Sequence, residues 1–142
     1  MKIVGLAIGD VWVGVAITDA LGMFARPYKT FHVKEFDEGL KALFLQEKIS
    51  IIVIGYPKTM RGTVSDQTKK VEQEKERLAH LYPEYTWILW DERLSSKRAN
   101  TLKQAKTQEQ KKQSHAIAAA FILSSYIEFK RPAIDTELDT SE

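Results

Sequence analysis

Residues 2–8 form a short apolar run that Gly9-Asp10 interrupts, and residues 12–18 are again mostly apolar. Two such runs across a Gly-Asp turn predict a β-hairpin. A third strand is predicted over 26–33, after the Leu21-Gly22-Met23 loop. The period then changes. Phe36, Leu40, Leu43 and Phe44 recur at helical spacing and predict a helix over about 34–48. Ile49 to Ile54 is a continuous, mostly β-branched run, the pattern of a strand covered on both faces. It ends at Gly55-Tyr56-Pro57, and a loop with Gly62-Thr63 follows. Residues 65–81 read as a polar helix with a thin stripe of Val71, Leu78 and Leu81, suited to the edge of the fold. Thr86 to Trp90 is the last predicted strand. A helix is expected from about Ser95, then a polar break over Thr107 to Gln113. A final helix is expected from Ser114, a candidate N-cap, to Phe129.

The order β-β-β-α-β-α-β-α-α has a topological consequence. A helix between two strands implies a right-handed crossover and parallel pairing. The expected fold is therefore α/β: a mixed five-stranded sheet, three antiparallel strands followed by two parallel ones, with helices on both faces. The carboxyl ends of strands one, four and five then share a rim, where open sheets hold their sites. Ala7 to Asp10, Gly55 to Thr63 and Asp91-Glu92-Arg93 should meet there.

A chain of 142 residues and 16.2 kDa suits one domain, expected over 1–130. Residues 131–142 carry one Arg against four acids and read as an acidic, disordered tail. Apolar residues at 44% and charged residues at 28% are ordinary for a globular protein. A membrane span has no candidate run, and the opening reaches Asp10 before any long apolar stretch, which disfavours a signal peptide. Without Cys there are no disulfides, thiolate metal sites or Cys nucleophiles, and a reducing, cytoplasmic setting fits. Net charge of +2 is too mild to identify a nucleic-acid partner by itself.

The sharpest chemical feature is Asp91-Glu92-Arg93 at the end of the apolar strand Trp87-Ile88-Leu89-Trp90. Neighbours on a strand point to opposite faces, so at most one of Asp91 and Glu92 faces a site squarely unless the strand has already ended. Arg93 could pair with a carboxylate or reach a phosphate. Lys58, Arg61, Lys97 and Arg98 fall near the same rim and could neutralise phosphates, although a charged cluster is also the usual content of a solvated face. A helix starting near Ser65 would turn its N-terminus toward an anion there. His115 heads the last helix, with Ala118, Ala119, Ile122 and Tyr126 at helical spacing; the small alanines would let that helix lie close on the sheet. Asp10 sits in the hairpin turn, where backbone preference alone also accounts for it. Asp19 lies ~16 Å away along the second strand, too far to share a metal. His32 and His80 read as surface residues.

Gly5-Leu6-Ala7-Ile8-Gly9, followed by Gly14-Val15-Ala16 and Asp19, resembles the opening of the YqgF family, also called the RuvX or Holliday-junction resolvase family. Gly55-Tyr56-Pro57 with Met60, Gly62 and Thr63 is similar to that family's second motif. Asp91-Glu92-Arg93-Leu94-Ser95 is similar to its third, and Ala118-Ala119 with Ile122-Leu123 and Tyr126 to its last helix. The resemblance spans about residues 2–129. It implies a ribonuclease H-like fold and a bacterial cytoplasmic nuclease that processes the 5' end of pre-16S ribosomal RNA. An alternative it carries is resolution of branched DNA junctions.

Three positions depart from the family pattern. Ala7 stands where the family has an Asp, His115 where the last helix has another, and Trp12 where the hairpin has an Arg. A two-metal nuclease needs hard oxygen ligands for Mg2+ or Mn2+. Glu92 or Asp91 would be the main metal ligand, with Asp10 reaching inward from the turn to replace the missing first carboxylate and His115 as an improvised partner or general base. Arg93, Lys58, Arg61 and Lys97 would hold phosphates. The implied partner is structured nucleic acid, pre-rRNA or a ribosomal particle. Loss of two acids also admits a derivative that binds nucleic acid or ribosomes without turnover. The fold is shared with sugar kinases and actin-like ATPases, but one lobe of this length cannot close over a nucleotide.

Overall fold

The structure, a computed structural model, describes residues 1–57, 65–91 and 108–140. Five strands form one sheet: β1 (Lys2–Ile8), β2 (Trp12–Thr18), β3 (Ala25–His32), β4 (Ile49–Tyr56) and β5 (Thr86–Asp91). Their spatial order is β3-β2-β1-β4-β5. The β1–β2 and β2–β3 pairs are antiparallel, whereas β4 lies parallel to both β1 and β5. The mixed sheet expected from the element order is therefore present. Helices α1 (Val33–Gln46) and α2 (Asp66–Leu81) cover one face, and α3 (Gln108–Thr140) covers the other.

Strand alternation sorts the core into two layers. Val4, Leu6, Ile8, Val13, Val15, Ile52 and Ile54 face α1 and α2. Ala7, Ala16, Val53, Ile88 and Trp90 face α3, meeting Ala118, Ala119, Ile122 and Leu123. This explains the unbroken apolar run of β4: its Ile and Val side chains go alternately into both layers. Small residues set the spacing on the α3 side. A Cβ added to Gly14 would lie only 1.9 Å from the carbonyl oxygen of His115, and one at Gly5 would lie 2.9 Å from that of Ala119. The helix backbone rests almost directly on the sheet backbone, as the alanine stripe predicts.

The helix starts have identifiable causes. Ser65 caps α2, accepting from the Thr68 N–H at 3.2 Å, while the Ser65 N–H donates to Thr68 Oγ1 at 3.1 Å. This reciprocal pair satisfies two otherwise orphaned donors. Of the stripe expected on α2, Val71 and Leu78 are buried but Leu81 is half exposed; Thr68 completes the buried face instead. His32 caps α1, its Nδ1 accepting from the Lys34 N–H at 3.2 Å. It is therefore engaged in the fold, not a free surface residue.

The last helix departs from expectation at both ends. It begins at Gln108, so the expected polar break over 107–113 is helical from its second residue onward. Gln, Glu and Lys are good helix formers, and polarity alone does not interrupt a helix. Ser114 lies inside α3 and is buried, so it is not an N-cap. At the other end the helix passes Phe129 and continues to Thr140, through most of the acidic segment. The helix expected from Ser95 lies outside the described residues. No helix among the described residues is long and apolar enough to cross a membrane.

Candidate functional site

The register brings the carboxyl ends of three strands to one rim. Leu6 pairs with Ile54, and Ile54 pairs with Leu89. Two residues further along, Tyr56 pairs with Asp91, so Ile8, Tyr56 and Asp91 occupy the same row. With strands ~4.8 Å apart, the Asp91 backbone lies ~10 Å from that of β1. Side chains fasten the rim. Thr68 Oγ1 donates to the carbonyl of Pro57, and Gln67 Nε2 donates to that of Ile8 at 3.3 Å. The N-terminus of α2 is thus held between the ends of β1 and β4. The Tyr56 hydroxyl donates to Glu72, and this contact raises the tyrosine pKa by favouring the protonated phenol.

Of the residues singled out in the sequence, Asp10, Asp91 and His115 are described; Glu92, Arg93, Lys58, Arg61 and Lys97 lie outside the described residues. His115 comes to the rim from the α3 side. A Cβ at Gly9 would lie 3.9 Å from its Cε1. Asp10 goes the other way. It is exposed, ion-paired with Lys70 of α2, and forms one wall of a pocket of about 270 Å³ over Ile8, Val13 and Phe36. Asp91 alternates with Leu89 and Trp87, which puts it on the α1/α2 side of β5. His115 and the two described acids therefore share a rim but approach it from opposite faces of the sheet.

Metal binding can be tested against these donors. A pair of divalent cations needs several carboxylates around one point. Among the described residues no group of three His, Asp or Glu side chains converges. Ala7 faces α3, is essentially inaccessible, and supplies no donor. Asp10 is held by Lys70 rather than turned toward the α3 layer. The described donors do not fit a two-metal centre.

Asp19 has a structural role. Its Oδ1 accepts from the backbone N–H groups of Met23 and Phe24, both at 2.9 Å, closing the β2–β3 turn. The Phe24 bond is the largest influence holding its carboxyl below the ordinary value. Sequence reading missed one feature of the rim. Trp12, first residue of β2, pairs with His32 of β3, and their rings meet edge to face at 5.3 Å. The ammonium of Lys112 stands 5.6 Å from the Trp12 ring centre. The available signal was the apolar–polar alternation, which puts Trp12 and His32 on the same face as Gly14.

Residues 1–129 match the model of the family described as "RuvX: Holliday junction resolvase". A "Putative pre-16S rRNA nuclease" of Clostridioides difficile is 36% identical over 138 residues, covering 91% of this chain and 95% of that protein. One of the same name from Rubrobacter xylanophilus is 30% identical over 128 residues, covering 89% and 92%. Among solved structures, T. thermophilus RuvC in complex with a Holliday junction substrate superposes with a TM-score of 0.55 at 11% identity, covering 92% of this chain and 96% of that one. At that identity the likeness is one of fold, and it is the ribonuclease H-like fold expected from the sequence.

Proposed function

Because the chain belongs to the RuvX family, a nuclease family, we propose that it hydrolyses phosphodiester bonds in structured nucleic acid, with the 5' region of pre-16S ribosomal RNA as its substrate in the cytoplasm. The observation that carries this reading is the shared rim, where the ends of β1, β4 and β5, the N-terminus of α2 and His115 come together.

The residues have separable tasks in this reading. The N-terminus of α2, capped by Ser65, favours a phosphate at the rim through the positive end of the helix dipole. Lys58, Arg61, Arg93 and Lys97 supply compensating charge in sequence segments adjoining the rim. His115 accepts a proton from the attacking water. Asp91 or Glu92, at the end of β5 in the sequence, supplies the carboxylate of this reading. Ribonuclease H-like nucleases use divalent metals in general, here Mg2+ or Mn2+, although the described donors do not by themselves fit a two-metal centre.

The test is a cleavage assay with purified protein on two substrates, a pre-16S 5'-region transcript and a four-way DNA junction, each with Mg2+, Mn2+ or chelator. The proposal expects cleavage of the transcript at a defined position. Cleavage of the junction alone would transfer the activity to branched DNA. Tight, salt-sensitive binding without cleavage of either would identify a nucleic-acid binder without turnover, the reading that Ala7 and the separation of Asp10 from His115 favour.

A further inference from the structure

We propose that the groove between β3 and the first turns of α3 is a binding surface for an unpaired nucleotide of the nucleic-acid substrate. This deepens the nuclease reading and rests on it. The groove has a volume of about 370 Å³, within the range of small-molecule sites. Pro27 and Thr30 of β3 form one wall, and Lys112, Ala116 and Ile117 of α3 the other. Its lining is mainly apolar and, among the described residues, includes no acidic one.

Several features make it a built surface. Thr30 Oγ1 donates to the carbonyl of Lys112 at 2.6 Å and clasps strand to helix. Next to it, β3 carries a bulge: Lys29 pairs with Val15 and Pro27 with Ala16, leaving Tyr28 without a partner in the ladder. Bulges bend an edge strand and disrupt its pairing. The groove lies beside this bulge and the clasp. At the mouth, Lys112 is exposed and stands over Trp12, which His32 braces edge-on. His115, three residues along the helix, leads from this mouth to the hairpin turn.

The chemistry suits an unpaired nucleotide. An apolar slot accepts the flat face of a base, and an ammonium at its mouth accepts the phosphate. A paired base has both faces stacked and cannot enter. The pocket on the opposite face provides the contrast. Among the described residues its lining carries Asp10, Asp37 and Glu74 against Lys70 and Arg77, so it offers no net positive charge to a polyanion. The strand is thus directed along the α3 side, where His115 lies.

The experiment compares binding of a fluorescent single-stranded oligoribonucleotide and of its duplex by anisotropy across a salt series. Lys112→Glu is expected to weaken single-strand binding about tenfold and to lower the salt slope by about 0.7, the amount for one phosphate contact on a single strand. Duplex binding should change less than the single-strand value. Lys41→Glu, the same charge change on exposed α1, should leave both nearly unaltered. Gln113→Trp, which fills the groove without changing charge, should also weaken single-strand binding. Equal affinity of wild type and both groove variants would overturn the proposal while leaving the nuclease reading intact, as would equal weakening for duplex and single strand. A wild-type protein that binds neither probe would remove both readings.

Discussion

Gly14→Ala isolates the contact that brings His115 to the rim. The added Cβ would lie 1.9 Å from the His115 carbonyl oxygen, 2.1 Å from its carbon and 2.7 Å from the Ala116 nitrogen. All three are backbone atoms, so no side-chain rotation relieves the overlap. Restoring ordinary contact at 3.4 Å requires α3 to retreat from β2 by about 1.5 Å at this point. That movement would loosen the dry layer formed by Ala7, Ala16, Ala118 and Ala119. Overpacking of a tight core costs typically ~1–3 kcal/mol, and the backbone clash puts this case at about 3 kcal/mol. For a domain of this size that is a fall of roughly 10 °C in melting temperature. Gly5→Ala, whose nearest approaches are 2.9 Å, should cost about 1 kcal/mol. Urea titration of the two variants beside wild type gives both values. A Gly14→Ala protein within about 0.5 kcal/mol of wild type would refute close seating of α3 on the sheet.

Further outcomes follow from the caps and turns. Ser65→Ala removes the side-chain acceptor of the α2 cap and should cost about 1 kcal/mol by urea unfolding, with an unchanged m-value. Thr68→Val should cost at least as much, because the bonds to Ser65 and Pro57 are lost together. For Asp19 the folded carboxyl titrates below its ordinary value of 3.8, so its contribution is present above that value and is lost as pH falls through the lower folded one. Asp19→Asn should therefore have a flatter acid limb than wild type in thermal melts between about pH 5 and 2; parallel limbs would contradict the turn bonds.

The sheet was legible because its signal is local. Short apolar runs bounded by turn residues marked β1, β2, β4 and β5, and the helix between β4 and β5 predicted that parallel pair, whereas the placement of β4 beside β1 was not specified by any one connection. The meeting of β1, β4 and β5 at one rim was expected from the element order. Side-chain direction was less legible. Asp10 is turned by Lys70, sixty residues away, and no spacing within the hairpin encodes that partner. The start of α3 was hidden for a different reason: Gln108 to Gln113 are polar yet helix-favouring, while Ser114 carries the signature of a cap but lies buried against the sheet. His32 was passed over because a histidine serves less often than Ser, Thr, Asp or Asn as an N-cap.

The central claim is that chemistry takes place at the rim where β5 ends. It is tested most directly by mapping the 5' end produced from a pre-16S transcript by wild type and by an Asp91→Asn/Glu92→Gln double variant of equal thermal stability. A rim-based nuclease predicts a defined cut by wild type that falls at least a hundredfold in the variant. Equal cleavage by the two proteins would place the activity elsewhere and contradict the account.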